Sequence, residues 1–93
     1  MNKYEMLYVL EAAASDEAKE AVIAKFEGLV ATLGGTVEKT DKWGERKLAY
    51  PIRFKDSGYF VLMTFTAEGK AIAEIDRVAR LTGEVIRTVI TKA

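Results

Sequence analysis

Neither cysteine nor histidine occurs in this 93-residue chain. That excludes disulfides, thiolate or imidazole metal sites, and Cys- or His-based catalysis, leaving only carboxylates, amines, hydroxyls and backbone for chemistry. No stretch approaches the roughly 20 consecutive apolar residues of a spanning helix, and the N-terminus lacks the basic, apolar and small-residue order of a signal peptide, so a cytoplasmic chain is expected. Proline is nearly absent too: the single one, Pro51, lies in an otherwise strand-like run. Because it has no backbone N–H to give a central ladder, it confines that strand to a sheet edge or a bulge. Net charge is also missing, with fourteen basic residues against fourteen acidic ones. A chain of this balance does not coat nucleic acid by bulk electrostatics.

What is present describes one compact domain over residues 1–93, with 49% hydrophobic and 30% charged residues. The charge is unevenly placed. Residues 11–38 carry six acids and two bases, whereas 39–55 carry six bases and two acids. Such runs are often just solvated faces, but the collective placement marks 39–55 for attention.

Lys3 to Leu10 alternates like a strand, with Tyr4, Met6, Tyr8 and Leu10 on one side. Ser15 is a candidate N-cap followed by Asp16 and Glu17, and Val22, Phe26, Leu29, Val30 and Leu33 recur at helical spacing until Gly34-Gly35. Thr36 to Arg53 reads as strand, interrupted around Trp43-Gly44, and a turn over Lys55-Asp56-Ser57-Gly58 leads into a third strand, Tyr59 to Phe65. Ile72, Ile75, Val78, Ala79 and Leu81 suggest a second, shorter helix that Gly83 can end, and Val85 to Thr91 is the last strand.

The order βαββαβ is the ferredoxin-like split βαβ arrangement, an α+β fold with a four-stranded antiparallel sheet and two helices on one face. Right-handed crossovers predict strand order 4-1-3-2, which puts the second strand, and Pro51 with it, at an edge.

Strand parity predicts that Leu48, Tyr50 and Ile52 face the core, while Lys47, Ala49, Pro51 and Arg53 face away. The helix-free face of the sheet is then expected to show Lys3, Glu5, Leu7 and Val9, Lys47 and Arg53, Phe60, Leu62 and Thr64, and Arg87, Val89 and Thr91. This is an apolar strip with cations around it, which suits a protein interface flanked by phosphate or carboxylate contacts.

The run Gly44-Glu45-Arg46-Lys47-Leu48-Ala49-Tyr50-Pro51-Ile52-Arg53 resembles the signature of the family of ribosomal protein six of the bacterial small (30S) subunit, matching it at every position. Tyr4-Glu5 ahead of an apolar strand, Gly58-Tyr59-Phe60 and the Arg87 to Lys92 ending extend the likeness over nearly the whole chain. Some family members continue with an acidic or disordered tail beyond the point where this sequence stops. The resemblance implies a structural constituent of the small subunit that binds the central domain of 16S ribosomal RNA together with ribosomal protein eighteen. No catalysis, cofactor, metal, membrane or small-molecule substrate is implied. On this basis Lys3, Arg46, Lys47, Arg53, Arg80, Arg87 and Lys92 are candidate RNA contacts, and Leu7, Val9, Phe60, Leu62 and Val89 candidate partner contacts.

Plainer roles stand beside these. Tyr50 reads as a core residue of the hairpin, and Gly44 as a turn former. Trp43, at the expected hairpin tip, has three open roles: packing under the loop, stacking on RNA, or meeting another protein. Two other functions fit the same element order. One is an RNA-recognition-type module, although Tyr8 has core parity and Gly58-Tyr59-Phe60-Val61 lacks that module's spacing. The other is a ferredoxin-like small-molecule-binding regulatory domain, or a small enzyme using paired carboxylates such as Glu5 and Glu38.

Overall fold

A computed structural model of the chain describes residues 2–52 and 55–93, the side chains of 48–52, 55 and 56 excepted. The elements run β1 (Asn2–Glu11), α1 (Asp16–Thr32), β2 (Thr36–Ile52), β3 (Lys55–Ala67), α2 (Gly69–Leu81) and β4 (Val85–Lys92). They form one antiparallel sheet in the order β2-β3-β1-β4, which is the expected order read from its other edge. Pro51 lies in β2, an edge strand, as its missing N–H requires.

Helix α1 starts where the Ser15 hydroxyl accepts a hydrogen bond from the Ala18 N–H at 3.1 Å, with Asp16 and Glu17 in its first turn. It ends in a Schellman turn: Gly34 adopts φ +84°, its N–H donates to the Ala31 carbonyl, and the Gly35 N–H donates to that of Val30 at 2.9 Å. Helix α2 ends differently from the expectation. Gly83 is not in the left-handed region; instead Thr82 turns extended, and its hydroxyl donates to the Val78 carbonyl at 2.8 Å while accepting from Lys25 Nζ of α1 at 3.2 Å. Leu81, placed on the apolar side by periodicity, is 72% exposed.

Met6, Tyr8 and Leu10 of β1 and Val61, Met63 and Phe65 of β3 bury one face of the sheet under Val22, Ile23, Phe26 and Val30 of α1 and Ala71, Ile75 and Ala79 of α2. Both helices therefore lie on that face. Tyr8 meets the edge of Phe26 with ring centroids 4.9 Å apart, a geometry that adds about 1 kcal/mol to plain area burial.

Two local expectations are corrected. Lys55 to Gly58 is strand, not turn, because Ile52 pairs with Lys55 and Lys47 with Ser57. Trp43 consequently lies within β2, away from any hairpin tip. Since β1 ends at Glu11 opposite Gly58, the β2–β3 ladder continues past it as a two-stranded arm.

Candidate nucleic-acid and partner interface

The helix-free face is organised as rungs crossing the four strands. Asp41, Leu62, Leu7 and Val89 form one rung, and Gly44, Phe60, Val9 and Arg87 form the next. Toward the other end come Lys39, Thr64, Glu5 and Thr91, then Thr36, Thr66 and Lys3. Leu7, Phe60 and Leu62 are half-buried and Val89 is 39% exposed, so they line a continuous apolar strip. Val9 belongs to the same rungs but is only 3% exposed. Gly58, which has no side chain, and the nearby Ile86 close over it, so it supports the strip from below rather than meeting a partner.

Three register shifts in β2 decide which residues reach this face, the last of them between Lys47 and Ile52. The register shifts between Val37 and Lys39, and again between Lys42 and Gly44, where Gly44 takes φ +86°. Each extra residue reverses the parity of the residues after it. The first two shifts cancel by Gly44, and the third separates Lys47 from Ile52: Arg46 pairs with Gly58 and lies on the helix-free face, whereas Lys47 pairs with Ser57 and lies on the opposite one, the face of Lys55 and its partner Ile52. Simple alternation had placed Lys47 on the helix-free face.

The second bulge also places Trp43 on the helix-free side. Its ring is nearly parallel to that of Phe60, with an interplanar angle of 5° and centroids 6.4 Å apart. The Arg46 guanidinium lies 5.6 Å from the Trp43 ring centroid, within the range of a cation–π contact. Trp43, whose role the sequence left open, lies beside the strip, and Ile86, which helps to cover Val9, is a residue that sequence reasoning missed. A large aromatic immediately before a glycine in a strand was the available signal for the first, and a fourth strand apolar on both faces hid the second.

The cations sort by whether a carboxylate already holds them. Lys3 is 3.0 Å from Glu38, and Arg80 Nε is 2.9 Å from Asp76. Lys42 donates to Glu20 at 2.7 Å, a hydrogen bond that raises its pKa above the ordinary lysine value, and Lys39, Lys70 and Arg77 have acidic partners too. Among the described residues, Arg46, Lys47, Arg87 and Lys92 have no such partner. Arg46 and Arg87 flank the apolar strip at the end where the arm begins. Arg80, on the helix layer, shares with Arg87 a groove of about 220 Å³ that Ala79, Val85, Ile86 and Thr88 complete. Lys92 pairs with Tyr4 and so lies at the far end, on the helix side. Arg53 lies outside the described residues. Among the described residues no group of His, Cys, Asp and Glu could hold a metal ion, and no helix is long and apolar enough to cross a membrane.

A four-stranded antiparallel sheet with both helices on one face and the other face open places the chain in the class of ferredoxin-like α+β domains. The family model for ribosomal protein S6 matches residues 3–92, and the chain belongs to that family, a structural one of the small ribosomal subunit. It is 44% identical over 90 residues to small ribosomal subunit protein bS6 of Clostridium botulinum, covering 97% of this chain and 96% of that protein. It is 39% identical over 92 residues to bS6 of Fusobacterium nucleatum, covering 99% and 98%. The crystal structure of 30S ribosomal protein S6 from Thermotoga maritima superposes with a TM-score of 0.94 at 22% identity, over 99% of this chain and 87% of that one. That last likeness bears on the fold alone.

Proposed function

We propose that this chain binds the central domain of 16S ribosomal RNA jointly with ribosomal protein eighteen of the small subunit, as a non-catalytic part of the cytoplasmic ribosome. The observation that carries the reading is the segregation of the cations. Most are neutralised within the fold, whereas Arg46 and Arg87 stand unpaired among the described residues, beside an apolar strip. A chain of zero net charge gains little from general attraction to RNA. A few phosphate contacts joined to a protein interface give the affinity that neither supplies alone.

In this reading Leu7, Phe60, Leu62 and Val89 form the partner strip, with Trp43 extending it and Val9 supporting it. Arg46, Lys47, Arg87 and Lys92 meet phosphate, and Arg53 joins them on sequence grounds. Lys3 and Arg80, already held by carboxylates, are secondary contacts.

The test is binding of the purified chain to a 16S central-domain fragment, with and without ribosomal protein eighteen, over a range of salt concentrations. Affinity that rises sharply with the partner and falls modestly with salt supports joint binding. Charge reversal at Lys47 and Arg87 that leaves this ternary binding intact refutes the phosphate assignment.

A further inference from the structure

Trp43 contacts both Phe60 and Arg46, a link between the apolar strip and a cation that the two-interface reading does not itself require. Residues three apart in a regular strand face opposite ways. Here the bulge leaves Trp43 as the extra residue between the Lys42–Val61 and Gly44–Phe60 pairs, and the positive φ of Gly44 turns the chain so that Trp43 and Arg46 share a face. Trp43 is 43% exposed, its ring is near-parallel to that of Phe60, and Arg46 lies over it without a carboxylate among the described residues. An exposed arginine with neither acid nor ring beside it samples many rotamers, whereas one laid on an indole keeps its planar fork in place with its N–H edges turned outward.

We propose that Trp43 is the positioning residue for Arg46. Its ring holds the guanidinium so that two N–H groups meet one RNA phosphate in a bidentate contact. The phosphate rests on the RNA-binding reading above; the Trp43–Arg46 contact does not.

Two measurements separate these parts. In the free protein, ¹H–¹⁵N spectra of the arginine Nε–H groups show an upfield ring-current shift for Arg46 that Trp43→Ala removes and Arg87→Gln leaves unchanged. The single tryptophan of the chain reports the same contact by fluorescence, since Arg46→Gln changes its emission. Absence of the shift in the unmutated chain overturns the positioning role whether or not RNA binds.

With the central-domain RNA and ribosomal protein eighteen present, Arg46→Ala lowers affinity about 10-fold or more and reduces the salt slope by about one. Trp43→Ala lowers affinity about 2- to 5-fold with the salt slope unchanged, because no charge is lost, Trp43→Phe restores most of the loss, and the loss disappears in an Arg46→Ala background, where a lost strip contact would persist. Melting temperatures taken alongside show that the variants are folded. An unchanged affinity for folded Trp43→Ala, or an Arg46→Lys variant that binds as well as the original, overturns the bidentate contact. If the unmutated chain fails to bind the RNA at all, the phosphate contact falls together with the reading beneath it, and the ring-current shift still decides the Trp43–Arg46 contact.

Discussion

The side chain of Val9 occupies the space that a Cβ on Gly58 would need. The two residues lie on neighbouring strands of the helix-free face, and with Ile86 over them Val9 is 3% exposed even though no helix covers that side. This small apolar contact stands apart from the main core. It locks the start of the arm to the centre of the sheet.

Gly58→Ala is expected to destabilise the fold by about 1–3 kcal/mol through overpacking against Val9. Val9→Ala on the same background relieves the clash, so the two changes are non-additive. Chemical denaturation of the two single variants and the double variant measures this coupling, and simple additivity would contradict the contact.

Gly44→Ala meets no neighbouring atom within 4 Å, so its cost is conformational alone. The positive φ makes that cost about 1–2 kcal/mol, and Gly44→Asn is milder because asparagine tolerates the left-handed region better. Denaturation midpoints in the order glycine, asparagine, alanine would bear this out.

The Tyr8 hydroxyl is buried and has no hydrogen-bond partner within the protein, and burial, with Glu27 and Glu20 nearby, pushes its pKa well above the ordinary tyrosine value. Tyr8→Phe is therefore expected to be neutral or slightly stabilising at pH 7. The pH dependence has a definite sign. The unfolded chain ionises this phenol near pH 10 and the folded one does so only at higher pH, so stability holds below about pH 10 and falls as pH rises beyond it. Removing the hydroxyl flattens this alkaline fall, which urea titrations between pH 8 and 11 will show.

Neutralising Lys3 or Arg80 is expected to change RNA affinity less than neutralising Arg87 or Lys47, because Glu38 and Asp76 already engage the first pair. The salt slope for ternary binding should drop by about one for Arg87→Gln and by much less for Lys3→Gln. Equal drops would show that the carboxylate contacts break on binding.

Much of the architecture is legible in the sequence. Ser15 ahead of two acids, alternation in β1, and a lone proline in an edge strand are all local signals, and with the right-handed crossover rule they lead to the element order and the strand order. The ten-residue run from Gly44 marks the family because its residue types occur together at fixed spacing. Alternation also places Arg87, Val89 and Leu7 on the correct face.

Only the tertiary structure decided the properties that depend on a neighbouring strand or helix. A register shift between Lys47 and Ile52 breaks the alternation counted back from Ile52, so Arg46 and not Lys47 faces the strip, because an extra residue can be counted only against its partner strand. Val9 is hidden because a residue forty-nine positions later lacks a side chain. Arg80 and Lys3 are neutralised while Arg87 has no acidic partner among the described residues, since a charge finds its partner through space. Composition and periodicity determine which elements form and in what order; packing between them determines which side chains remain available to another molecule.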